Sequence, residues 1–298
     1  MTANYRGALY MTLAMFLFAL EDMALKAAVR DVPVGQAILI FGIAGTLVFM
    51  AIALANAQKP FHPAVTSRLM LLRSASEICG RLFYSVAIAL TALSSVSAIL
   101  QATPLIVALG AVLFFNERVG LGRWIWIFVG FIGVLLILKP SSEGFDFASI
   151  FAVLGTLGFA GRDLATRASP VSMSTAQLGV LGFVVLTVSG LILIAWTGGE
   201  MVWPPLRAWA LLALTTTVGC AAYGALTRAM RTGDVSVVAP FRYSRLLFAF
   251  ILGIVVFNES PDLLTYIGGI IVVLSGIALL RSGKSSRREA AATHNSLK

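Results

Sequence analysis

The sequence predicts an all-α membrane protein: ten transmembrane helices arranged as two inverted five-helix repeats. Three observations carry that expectation. The 298 residues are 59% hydrophobic and only 12% charged, with a mean hydropathy of +0.93, whereas a soluble domain holds about 25% charged residues. One long apolar stretch occurs twice, as Val96 to Arg118 and as Val235 to Ser260. Its copies close on Phe115-Asn116-Glu117 and Phe257-Asn258-Glu259, 142 residues apart. Finally, each copy of the repeat holds an odd number of spans.

Runs of about 17–25 apolar residues suffice to cross a bilayer. In the first half they fall at 5–27, 34–55, 69–91, 95–116 and 121–138. In the second they fall at 147–168, 174–196, 207–230, 235–257 and 262–280. The first run is too long for the apolar core of a signal peptide and contains Glu21-Asp22, so it is read as a membrane helix. The repeat units are 1–140 and 141–280, and 281–298 is a polar, basic tail expected to be disordered and cytoplasmic.

The repetition reaches beyond one helix. Phe18-Ala19-x-x-Asp22-x-x-x-Lys26 returns as Phe159-Ala160-x-x-Asp163-x-x-x-Arg167, displaced by 141, and Cys79 and Cys220 are also 141 apart. Such self-similarity marks a duplicated unit. With five spans per unit, the second copy enters the membrane upside down, about a pseudo-two-fold axis in the membrane plane. Lysine and arginine set the orientation. With both termini cytoplasmic, thirteen lie in inside segments and four in outside ones, the bias expected of an inner (plasma) membrane protein. The net charge of +9 is therefore read as loop charge rather than as a nucleic-acid surface.

Charge inside a span is costly, so it marks candidate sites. Arg242 and Arg245 share a face of the ninth span beside Tyr243 and Pro240, and Arg245 lies about 15 Å deep. A guanidinium there matches a substrate carboxylate; neutralisation by acids on other helices is the alternative. On the third span Arg73, Glu77 and Arg81 stand at i, i+4 and i+8, either as a self-neutralising ladder or as a site at mid-membrane, with Tyr84 one turn on. Glu21-Asp22 and Arg162-Asp163 occupy equivalent repeat positions and are read as gate or structural charge. Phe18 and Phe159 are candidate aromatic walls, and Pro104 and Pro240 candidate hinges. The substrate-binding set is thus Arg245, Glu77, Arg81, Tyr84, Tyr243, Arg242, Phe18 and Phe159.

Enzyme chemistry lacks its usual equipment. The histidines, His62 and His294, fall in a loop and in the tail, and no phosphate-cradling glycine loop is present. No cofactor and no metal is expected; the partners are a small-molecule substrate and the lipid bilayer, and a monomer suffices. A channel is the third class. The odd-numbered inverted repeat and the scattered opposite charges favour a carrier.

Several of these motifs resemble the drug/metabolite transporter superfamily in its ten-helix EamA branch. Carrying the resemblance are Phe18-Ala19 to Lys26, Phe159-Ala160 to Arg167, Pro104 thirteen residues before Glu117, and Trp124 nine before Gly133. In the second half Leu246 stands where the pattern has proline, while Pro240 keeps an earlier one. The resemblance spans 5–280 and implies secondary transport of a small metabolite. Within the branch the chain is similar to YddG-type exporters of aromatic and other neutral amino acids. Related branches carry riboflavin, S-adenosylmethionine or lipophilic cations.

Overall fold

The computed structural model describes residues 2–90, 99–138, 149–199, 201–257 and 263–296. Asn258 and Glu259, residues 95–98 of the fourth span, Lys139 and Lys298 lie outside them. Every regular element among the described residues is a helix. The first half contains α1 (Ala3–Ala28), α2 (Val34–Ala55), α3 (Arg68–Leu90), α4 (Thr103–Phe115) and α5 (Leu121–Leu138). The second contains α6 (Ser149–Arg167), α7 (Thr175–Thr197), α8 (Leu206–Met230), α9 (Ser244–Phe257) and α10 (Leu263–Ser296). By length and apolarity α1, α2, α7 and α8 can each cross a membrane. α3 and α6 are long enough too, but their hydropathy is lowered by the charged residues that build the site.

Local chemistry sets several boundaries. α7 opens on a capping box in which Ser174 and Gln177 satisfy each other's backbone N–H, and it closes at Gly198 with φ +60°. α4 closes at Asn116, also left-handed at φ 50°. The fourth and ninth spans are both interrupted near a proline. α4 starts only at Thr103, with Pro104 in its first turn, where proline's missing N–H is tolerated. The ninth span is a helical turn at Val235–Val238, then a 3-10 segment at Ala239–Tyr243 containing Pro240, then α9. α10 continues to Ser296, so the backbone over 281–296 is helical where the sequence reading expects disorder. Ala290-Ala291-Ala292 and the neighbouring Arg and Glu residues are good helix formers.

Helix pairing shows how the halves are related. α1 packs on α8, α3 on α6, α2 on α7 and α5 on α10. Exchanging the halves converts the first pair into the second and maps the other two onto themselves, the signature of a two-fold relation. The self-paired helices run antiparallel. Along α2 and α7, Gly35 meets Ile194, Gly42 meets Thr187, Gly45 meets Phe183 and Phe49 meets Gly179. Along α5 and α10, Gly130 meets Ser275 and Gly133 meets Gly268 and Ile271. Equivalent helices that run in opposite directions mean that the second half is inverted.

Small residues let these backbones approach, as is usual between membrane helices. A Cβ on Gly158 of α6 would stand 2.5 Å from the Gly80 nitrogen of α3, and one on Gly190 of α7 would stand 2.7 Å from the Leu39 nitrogen of α2. Alanine at either position would push the two halves apart.

Candidate substrate site

The charged residues of three spans meet where the halves touch. α3 carries Arg73 and Glu77, α6 carries Arg162 and Asp163, and the ninth span carries Arg242, joined as a continuous chain. Arg73 Nη1 lies 3.4 Å from Glu77 Oε2, and Arg162 Nη1 lies 3.1 Å from Glu77 Oε1. Arg162 Nε then donates to Asp163 Oδ1 at 2.9 Å, and Arg242 donates to Asp163 Oδ2. Arg73 also donates from Nε to Thr166 Oγ1 at 3.0 Å and from Nη2 to the Tyr223 hydroxyl. Arg73, Glu77, Arg162 and Asp163 are all buried. The ladder on α3 keeps its Arg73–Glu77 rung and extends to α6, so Glu77 is held on both sides by arginine.

Arg245 is engaged as well. It donates from Nε to Asp22 Oδ2 at 3.0 Å and stacks over the Phe18 ring at 5.3 Å. The carboxylate clamp expected of it is occupied by an aspartate of α1, because the start of α9 packs against α1. In the equivalent place in the other half, Arg162 lies 5.6 Å over the Phe159 ring. Phe159 also makes an edge contact with Tyr84 at 6.1 Å.

Tyr243 departs from its expected role. It is 1% exposed and packs with Val134 and Val272 between α5 and α10. Successive residues of a helical segment point about 100–120° apart, so its ring and the Arg242 guanidinium face different neighbours.

Between the halves lies a cavity of about 40 Å³. α1 contributes Phe18 and Glu21, α3 contributes Glu77 and Arg81, and α6 contributes Arg162. Phe41, Phe183 and Tyr223 supply the aromatic wall. Of the expected substrate residues, Phe18, Glu77 and Arg81 line this cavity. Tyr84 and Phe159 stand behind it, and Arg242 and Arg245 bind its neighbours. Glu21 and Arg162, expected as gate charges, are in its wall.

Phe41 and Phe183 were missed, since α2 and α7 carry no charge to draw attention. One signal was available: Phe41 and Gly182 are 141 apart and both touch the cavity.

The bundle is sealed toward the face that carries the amino terminus. Asn4 Oδ1 accepts the Asp234 N–H at 2.8 Å, and Glu117 accepts the N–H groups of Val235 and Ser236 at 2.9 and 3.1 Å. Each of these bonds joins one half to the other. Met11, Met15, Val235, Val238 and Ala239 fill the space behind them. On the other side of the cavity the Asp22 and Arg245 side chains are 53% and 33% exposed.

An inverted-repeat bundle with buried charge at its centre is the architecture of a membrane carrier. The chain belongs to the EamA-like transporter family, whose family model matches residues 5–139 and again 146–281. The Pseudopaline exporter CntI of Pseudomonas aeruginosa is 29% identical over 288 residues, covering 93% of this chain and 97% of that protein. The S-adenosylmethionine uptake transporter of Rickettsia bellii is 27% identical, covering 72% of this chain and 73% of that one. A riboflavin transporter of Vibrio cholerae is 29% identical over 64% of each chain. One solved crystal structure superposes with a TM-score of 0.78 at 18% identity, covering 91% of this chain and 95% of that one, and so shares the fold. The chain is thus similar to transporters of different small molecules, and none of the three relatives is named for amino-acid export.

Proposed function

We propose that this protein is a secondary carrier that exports amino acids with apolar or aromatic side chains by alternating access. One observation carries the reading: the charged centre has five arginines, Arg73, Arg81, Arg162, Arg242 and Arg245, against four carboxylates, Glu21, Asp22, Glu77 and Asp163. A buried excess of guanidinium suits a carboxylate-bearing cargo, and Phe18, Phe41, Phe183 and Tyr223 suit an apolar or aromatic side chain. The proposed orientation puts the amino-terminal face in the cytoplasm, so this conformation is shut toward the inside. Pro104 and Pro240 are the proposed hinges about which the fourth and ninth spans move when it opens.

The names of the relatives favour a second reading, in which the cargo is a larger metabolite such as S-adenosylmethionine or riboflavin. Purified protein in proteoliposomes, offered a panel of labelled amino acids together with those two compounds, separates the readings. Saturable counterflow of phenylalanine or leucine is the expected result. Saturable flux of S-adenosylmethionine or riboflavin alone replaces the cargo, and non-saturating flux replaces the carrier by a channel.

A further inference from the structure

The cavity wall contains two carboxylates, and they are not alike. Glu77 faces guanidinium at both oxygens, Arg162 on one side and Arg73 on the other. Glu21 is 6% exposed, and its Oε2, like Glu77 Oε2, has no hydrogen-bond partner, but Glu77 Oε2 lies 3.4 Å from Arg73 Nη1. A buried carboxyl oxygen without a partner is costly, so its neighbourhood calls for a hydrogen-bond donor. The charged groups within electrostatic reach of Glu21 are Asp22 on its own helix, Arg81 of α3 and Arg245 of α9.

The repeat adds a second observation. Glu21 and Arg162 occupy equivalent positions, 141 residues apart, and both line the cavity. At this repeat position the two halves therefore present side chains of opposite sign to the shared space. A wall that sets Glu21 and Glu77 beside Arg81 and Arg162 matches a ligand with separated charges better than a simple anion. The size agrees with a head group. About 40 Å³ compares with a water molecule's share of roughly 30 Å³, enough for an ammonium but not for a whole amino acid. The rest of the cargo would extend past Phe18 toward the accessible Asp22 and Arg245.

We infer that Glu21 receives the ammonium group of a zwitterionic substrate, while the cavity-lining arginines, Arg162 and Arg81, face its carboxylate. The inference rests on the carrier reading above and specifies its cargo as a primary-amine zwitterion. Three compounds test it: phenylalanine, 3-phenylpropionate, which lacks the ammonium, and phenethylamine, which lacks the carboxylate. Binding is read as ligand-dependent protection from thermal unfolding, and flux as counterflow in proteoliposomes.

Wild type should prefer phenylalanine to both analogues. Glu21→Gln should weaken phenylalanine about ten- to a hundredfold, the loss of one charged hydrogen bond, and leave 3-phenylpropionate unchanged. Should Glu21→Gln fail to give a monodisperse protein, Glu21→Asp keeps the charge one methylene shorter. That variant should retain the preference at reduced affinity. A Glu21→Gln protein that still prefers phenylalanine, a Glu21→Asp protein of unaltered affinity, or a wild type indifferent to the ammonium overturns the inference and leaves the carrier standing. Silence of all three compounds overturns the amino-acid cargo itself, and the inference with it.

Discussion

α1 and α6 are two copies of one helix set to different tasks. In both, a phenylalanine lies beneath a guanidinium, Phe18 under Arg245 and Phe159 under Arg162. In both, the aspartate four residues on accepts from an arginine of the ninth span, Asp22 from Arg245 and Asp163 from Arg242. The surroundings differ. The Asp163 side chain is 2% exposed and holds two arginines, Arg162 and Arg242, whereas that of Asp22 is 53% exposed and holds one. The residue before the aspartate differs too, being Arg162 in one copy and Glu21 in the other. Duplication supplied the same scaffold twice. Burial then made one copy a fixed strut and left the other accessible at the centre.

The strongest way to break this comparison is at the strut. Asp163→Ala takes from Arg242 its carboxylate partner and leaves Arg162 with Glu77 alone, and removing one partner of a buried ion pair costs about 3–5 kcal/mol. The expected outcome is a large drop in the thermal unfolding temperature in detergent, or loss of monodisperse protein. Wild-type thermal stability for Asp163→Ala would mean that the chain of arginines and carboxylates does not hold the halves together.

A middle-sized effect is expected at the sealed face. Glu117 accepts two backbone N–H groups at the start of the ninth span, where a carboxylate also meets the positive end of the helical turn. Hydrogen bonds to a charged group are worth about 1.5–3 kcal/mol, so Glu117→Gln should favour opening by about tenfold. Val238, now fully buried, is the reporter. Val238→Cys in a cysteine-free background should react with a soluble thiol reagent about ten times faster when Glu117→Gln is added, each 1.4 kcal/mol being a factor of ten. An unaltered rate would remove Glu117 from the latch.

The smallest stability effect is expected at Asp22. An accessible pair is worth about 0–1 kcal/mol, so Asp22→Asn should unfold within a few degrees of wild type while slowing saturable flux. If Asp22→Asn destabilised the protein as much as Asp163→Ala, the contrast between the two copies would fail.

Much of this protein was legible in its sequence because it depends on period and composition. Apolar runs of spanning length, a repeat near 141 residues and five spans per unit led to ten helices and an inverted second half. The cost of charge in hydrocarbon pointed to Glu21, Glu77, Arg81 and Arg162 before any coordinates. Proline chemistry located the interruptions at Pro104 and Pro240. These properties are local, so a linear reading reaches them.

Partnership is not local. Arg245 stands near mid-membrane on a broken span, and nothing along the chain says that Asp22, 223 residues away, takes its guanidinium. The ladder of α3 could equally have been closed on itself alone; beside its own Arg73–Glu77 contact it is extended because α6 packs against α3 and brings Arg162 to Glu77. Tyr243 adjoins Arg242 in sequence but points about a third of a turn away, between α5 and α10. The charges were thus determined by sequence, while which of them is satisfied was decided by helix packing, since an ion pair depends on distance in space and burial alone sets its cost.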